Sequence, residues 1–235
     1  MRRQRVDSWS TMSNIRAQNL ERLARAGFRA AKSLPTVRGE HRALRPLAEI
    51  GARLFALDAL FTWVAFPEAS AASERVRRYA ANNDAASWLT PREREIFEQP
   101  RQLAYERHVD SIGWRLENMW SLAWVLGFAT PPALDGQMMP QELQRAMLLE
   151  FMPGLDKRVP DLLARQPARS ETEVDALEDL FYCAHNAARS AQLGSDTVPR
   201  GFDPIAGGGV VHERRHALTW CMSPGIDWDA TDLST

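Results

Sequence analysis

The stretch of this chain whose residue types and spacing spell out a known chemistry is His212-Glu213-Arg214-Arg215-His216. Histidines four apart on a helix share a face. There two imidazoles can hold a zinc ion while the intervening glutamate activates a metal-bound water for hydrolysis. The neighbouring residues argue against that use. Arg214 and Arg215 would set two cations within a turn of a dication, and Thr219 and Met222 stand where the extended motif wants glycine and histidine. Further along, the only carboxylates are Asp227, Asp229 and Asp232. The expectation is no metal and no cofactor, with His212 and His216 facing solvent.

The arginines have a plainer role. Val211, Arg215, Leu218 and Met222 fall on one helical stripe, and Val210, Arg214, Ala217 and Cys221 on the adjacent one. Both guanidinium groups therefore point among apolar residues, where an unpaired charge is costly and a carboxylate partner is required. Glu117 is a candidate partner, as are Asp175, Glu178 and Asp179, so the expected picture is an Arg–carboxylate network joining three helices. Clustered carboxylates can serve as acids or bases, but no nucleophile or oxyanion site accompanies them here. Gly207-Gly208-Gly209 precedes a predicted helix start, where anions can bind. No strand precedes it and no Gly-Lys-Ser/Thr follows, so it reads as a flexible loop.

The elements that must position these residues are helices. Gly113–Gly127 holds three of the eight tryptophans, and between Met119 and Leu126 only Ser121 is polar. That run is apolar nearly all round and marks a buried central helix. Arg115 and Glu117, two residues apart, lie about 200° apart around its axis; each needs a partner elsewhere. Two capping boxes announce helix starts, Thr90-Pro91-Arg92-Glu93 and Ser170-Glu171-Thr172-Glu173. Pro46 suits the first turn of a long helix through Leu57 to Val64, closed by Phe66-Pro67, with Glu49 and Arg53 as an i,i+4 pair. Further helices are predicted over 13–26, 73–81, 140–151 and 210–222, with a linker at 34–39 and an irregular tail. The predicted fold is all-α: a single compact domain of about eight helices over residues 13–235, packed around the tryptophan-rich helix, after a flexible 1–12.

Composition fits this reading. The chain has 235 residues, 45% hydrophobic and 25% charged, with a net charge of −1. Such a balance gives no global field to attract nucleic acid or an anionic membrane. The most apolar window, 47–66, contains Glu49, Arg53 and Asp58 and reads as a core helix, not a membrane span. Cys183 and Cys221 form no redox or metal spacing and read as inert buried thiols. No signal peptide is evident at the N-terminus, and a cytoplasmic location is expected.

Taken together, several blocks resemble a bacterial family, the domain of unknown function numbered 4272. They are Trp114-Arg115-x-Glu117, Leu122-x-Trp124-x-Leu126-Gly127, Arg169-Ser170, Asp179-Leu180-x-Tyr182, Glu213-Arg214-Arg215-x-Ala217-Leu218-x-Trp220 and Trp228-Asp229-x-x-Asp232. Glu49-Ile50-x-x-Arg53 is similar to its first block. The resemblance adds Arg115, Glu213, Asp229 and Asp232 to the charged set of Glu117, Asp179, Arg214 and Arg215. His212 and His216 lie outside the family's pattern, His185 stands where tryptophan is usual and Val125 where alanine is. No activity comes with the resemblance. Two functional readings follow. One is a non-catalytic domain that binds another protein, such as a toxin-neutralising immunity protein or a secretion-associated adaptor. The other is a hydrolase, working through zinc at His212 and His216 or through the Arg–carboxylate network.

Overall fold

The computed structural model describes residues 2–37 and 42–235, with side chains described from residue 14 onward. Eleven helices and no strand occur among the described residues: α1 (Arg2–Arg25), α2 (Leu47–Ala65), α3 (Ser73–Asn82), α4 (Ala85–Trp88), α5 (Pro91–Glu98), α6 (Arg101–Ile112), α7 (Trp114–Val125), α8 (Gln141–Arg145), α9 (Val159–Leu163), α10 (Glu171–Gln192) and α11 (Ala206–Cys221). A π-helical turn, Ala146–Phe151, continues α8, and a 3₁₀ turn, Trp228–Ala230, interrupts the tail. Helix α1 begins at Arg2, ahead of the helix predicted over 13–26, and part of the predicted 34–39 linker lies outside the described residues.

Two helices share the centre. Every residue of α2 from Ile50 to Val64 is buried, Arg53, Asp58 and Thr62 included. Helices α3, α4, α5, α6, α7 and α9 all pack against it. The tryptophan-rich α7 is buried from Leu116 to Val125 and lies between α2 and α11. Helix α10 packs on α11 with its inner face and on α1 with its outer one. The result is one continuous apolar core, which includes Leu54, Phe55, Trp120, Leu180 and Leu218.

Both capping boxes form. Glu93 N donates to Thr90 Oγ1 at 3.3 Å and Thr90 N to Glu93 Oε2 at 3.0 Å. Ser170 and Glu173 repeat the arrangement at 3.3 and 2.8 Å. At the other ends of helices, arginines add donors to the terminal carbonyls. Arg101 donates to Thr62 O and Phe66 O at 3.1 and 2.7 Å, closing α2. Arg45 reaches Ser223 O and Ile226 O at 2.6 and 2.7 Å just beyond α11 and stacks on the Trp220 ring at 4.0 Å. A planar fork of five donors can bridge several carbonyls at once, which a lysine cannot.

Gly113 separates α6 from the tryptophan-rich α7. Two expectations are corrected. The segment predicted as one helix over 140–151 widens into the π turn after Arg145. The triple glycine is the first turn of α11, not a loop. A side chain at Gly207 would meet the Phe202 ring at 3.0 Å, and one at Gly209 would meet Trp114 at 3.2 Å. Close packing against Phe202 and Trp114 favours glycine there, at the expense of helix propensity.

Candidate functional site

The charged residues separate into discrete centres instead of one network. The first joins α7 to α11. Arg214 Nε and Nη2 both approach Glu117 Oε2 at 2.7 Å, with neither side chain exposed. Arg214 also donates to Ala133 O and Gln137 O at 2.6 Å each, and Met139 N donates to Glu117 Oε1 at 2.7 Å. The pair thus holds the 133–139 loop against the core, and the guanidinium lies 4.7 Å over the Trp120 ring. Burial pushes the Glu117 carboxyl up in pKa against the pull of Arg214 and the Met139 amide.

The second centre was not visible as such in the sequence. Arg53 pairs not with Glu49 but with Glu93, donating to Oε2 at 2.6 Å and Oε1 at 3.0 Å. Glu49 turns to Arg45 at 2.8 Å instead. Arg115 adds a second cation to Glu93 at 3.2 Å, so the capping glutamate of α5 is also the anion between α2 and α7. Arg53 further donates to Trp88 O at 2.6 Å and lies 4.1 Å over the Trp228 ring.

Two more centres line α10. Arg42 bridges Asp175 and Glu178 at 2.7 Å each, and Thr219 Oγ1 donates to Glu178 Oε1 at 2.9 Å. Asp179 accepts from Arg16 at 2.6 Å and from Asn19 at 2.9 Å, tying α1 to α10. None of these acids meets Arg214 or Arg215, so the expected three-helix network through α10 is replaced by these local pairs.

Arg215 departs from the expectation of a carboxylate partner. Its Nη1 and Nη2 donate to Leu233 O at 2.8 Å and Ser234 O at 3.1 Å in the tail, and Nη1 also donates to His185 Nδ1 at 2.6 Å. Tyr182 stacks 4.8 Å from the guanidinium. Asp229 and Asp232 are exposed and pair with no arginine among the described residues; Asp232 Oδ1 accepts Ser234 N at 2.9 Å.

His212 and His216 are half-buried rather than solvent-facing, and with the buried His185 they form an aromatic ladder. His185, His212, His216 and Trp228 follow one another with ring centroids 5.2, 6.3 and 4.4 Å apart. His216 Nε2 lies 2.9 Å from Trp228 O, so that nitrogen carries the proton and has no lone pair to offer a metal. Glu213 is held by Asn118 Nδ2 through its carbonyl at 2.8 Å and its carboxylate at 2.9 Å. Burial lowers the pKa of all three imidazoles, that of His185 to about 3 with help from Arg215. They are neutral at pH 7. Among the described residues no group of three His, Cys, Asp or Glu side chains forms a metal-ligand set. A cavity of about 490 Å³ opens beside His185 and His212, bordered by Arg189, Leu193 and the tail. Cys183 and Cys221 are buried, and burial pushes the Cys183 thiol up to about 12 and that of Cys221 higher still, so neither is a nucleophile.

A scan against protein-family models matches residues 16–231 to a domain of unknown function, DUF4272. No curated protein and no solved structure matches. No described helix is long and apolar enough to cross a membrane.

Proposed function

We propose that the chain, which belongs to the DUF4272 family, is a non-catalytic cytoplasmic domain that binds another protein, in the manner of a bacterial immunity protein or a secretion-associated adaptor. The observation that carries this reading is the state of Glu117. Its side chain has no exposure, Oε1 is filled by a backbone amide and Oε2 by Arg214. A catalytic carboxylate must reach substrate as acid, base or nucleophile, and this one has no exposure and no free oxygen. Glu93 and Asp179 are engaged in the same way, by Arg53 and Arg115 and by Arg16 and Asn19. The paired charges of the family's blocks therefore hold helices and loops in place, which leaves the surface, with Asp229 and Asp232, to act. Leu193 and Ile205, 86% and 72% exposed, offer apolar contact there.

The test is affinity purification from the native host, with the parent chain and a Leu193→Glu/Ile205→Glu variant side by side. A stoichiometric protein partner lost from the variant is the expected result. The reading is overturned by about one zinc per purified chain that disappears with His216→Ala. A hydrolytic activity abolished by Glu213→Gln in a protein that melts like the parent overturns it equally.

A further inference from the structure

Among the buried carboxylates, Asp58 differs from Glu93, Glu117, Asp175, Glu178 and Asp179 in having no counter-charge among the described residues. It sits on α2, 7% exposed. Tyr79 Oη donates to its Oδ2 at 2.8 Å, and no described residue donates to Oδ1. Thr62, one turn further along the same face of α2, has a hydroxyl with no hydrogen-bond partner among the described residues, and it is 6% exposed. Both side chains line a groove of about 280 Å³, whose walls are Phe66, Leu148, Met152 and Leu155. Leu148 comes from the π turn, a helix distortion that recurs at functional sites. Arg75 also borders the groove, but its guanidinium is paired with Asp156.

A buried carboxylate without a cation is unfavourable. An asparagine would satisfy the Tyr79 hydroxyl equally well without that cost, so the negative charge is not explained by the fold. Small-molecule sites are apolar clefts with a few placed polar groups, and this groove is one at the small end of the range. We infer that it binds a small ligand carrying a protonated amine on an apolar body, with the ammonium between the Asp58 carboxylate and the Thr62 hydroxyl and the body along Leu148, Met152 and Phe66. An ammonium supplies both the missing charge and donors for the two free oxygens, a charge-assisted contact strengthened by the apolar walls. A carboxylate ligand would meet like charge, and a neutral alcohol would leave Asp58 uncompensated.

Calorimetric titration of the full chain with n-hexylamine, 1-hexanol and hexanoate at pH 7.5 tests the inference. Hexylamine should bind saturably at least tenfold more tightly than hexanol, and hexanoate should not bind. Asp58→Asn should bring hexylamine down to the level of the alcohol. Leu148→Trp, which fills the groove and leaves the carboxylate in place, should abolish binding of both. Hexanol equal to hexylamine on the parent chain, hexylamine affinity retained in Asp58→Asn, or no saturable binding of any probe at millimolar concentration overturns it. No partner protein enters the measurement, so its outcome is separate from that of the protein-binding proposal.

Discussion

Replacing Glu117 by glutamine keeps the shape of the side chain and removes its charge. The amide oxygen can still accept from Met139 N, as Oε1 does now at 2.7 Å. The amide nitrogen then faces Arg214 Nε and Nη2, donors against a donor, where an anion stood 2.7 Å away. Arg214 keeps its carbonyl partners Ala133 and Gln137 and the exposed Asp135 at 3.8 Å, but loses the one buried counter-charge that contacts it directly. Breaking one side of a buried pair costs about 3–5 kcal/mol, a large share of the roughly 5–15 kcal/mol that holds a domain folded. The raised pKa of Glu117 bears on the interpretation, because desolvation there exceeds the attraction of Arg214. The pair is costly to break without being a large net gain over apolar residues, as expected for buried ions. Arg214→Met should therefore also destabilise strongly, and the double variant should lose less than the sum of the singles by about 1 kcal/mol or more. Arg215→Met should add to Glu117→Gln without coupling, since its partners are the tail carbonyls and His185. Urea unfolding is the assay, because a non-ionic denaturant does not screen the charges in question. A Glu117→Gln protein as stable as the parent, or coupling as large with Arg215 as with Arg214, refutes the reasoning.

Other perturbations separate local from tertiary roles. Ser170→Ala should lower stability by about 1 kcal/mol, the worth of an N-cap; Glu93→Gln, at a cap that also serves Arg53 and Arg115, should lose about 3–5 kcal/mol, and equal losses in urea unfolding would contradict this. His185, held at about 3, binds fewer protons folded than unfolded, so stability is whole above about pH 6.5 and is lost as pH falls toward 3. The steepness of that loss should shrink in His185→Asn, and an unchanged urea midpoint across pH 4–7 would count against it. Asp58 has the opposite sign, since burial raises its pKa from 3.8 to about 6. The folded state holds the extra proton, so the contribution is present below about pH 4 and lost as pH rises through 6. Asp58→Asn should then gain on the order of 2–3 kcal/mol over the parent at pH 7.5 and nothing near pH 4; a gain independent of pH would point to packing instead.

What was legible in the sequence was local. The two capping boxes are read from four adjacent residues, and the opposed directions of Arg115 and Glu117 follow from helical pitch alone. Partner choice was not legible. Arg53 has Glu49 within a turn on its own helix, yet Glu49 is taken by Arg45, and the partner of Arg53 comes from 40 residues away. Spacing on one helix cannot rank a half-exposed neighbour against a fully buried acid on another. The rule that a buried arginine meets a carboxylate held for Arg214 and failed for Arg215, because backbone carbonyls of the tail do the same work and leave no trace in side-chain pattern. Gly207 and Gly209 read as a loop by propensity, whereas close contact with Phe202 and Trp114 favours glycine within a helix. Asp58 passed as one charge in an apolar run, since its lack of a cation is a tertiary fact.

The length of chain between ion-pair partners also bears on how long the native state lasts. Arg16 and Asp179 are 163 residues apart, Arg42 and Asp175 133, and Arg214 and Glu117 97. Long segments must close before any of these groups meet, and the entropy of closure is lost before the contact returns anything. A buried ion whose partner has not arrived is worse than one still in water, so each pair is expected to form late, together with the final exclusion of solvent. Interactions missing from the transition state slow escape from the folded state without speeding arrival. The guanidinium–carboxylate pairs therefore set the half-life of the folded chain more than the rate at which it is reached, and variants that break them should unfold faster while refolding at nearly the parent rate.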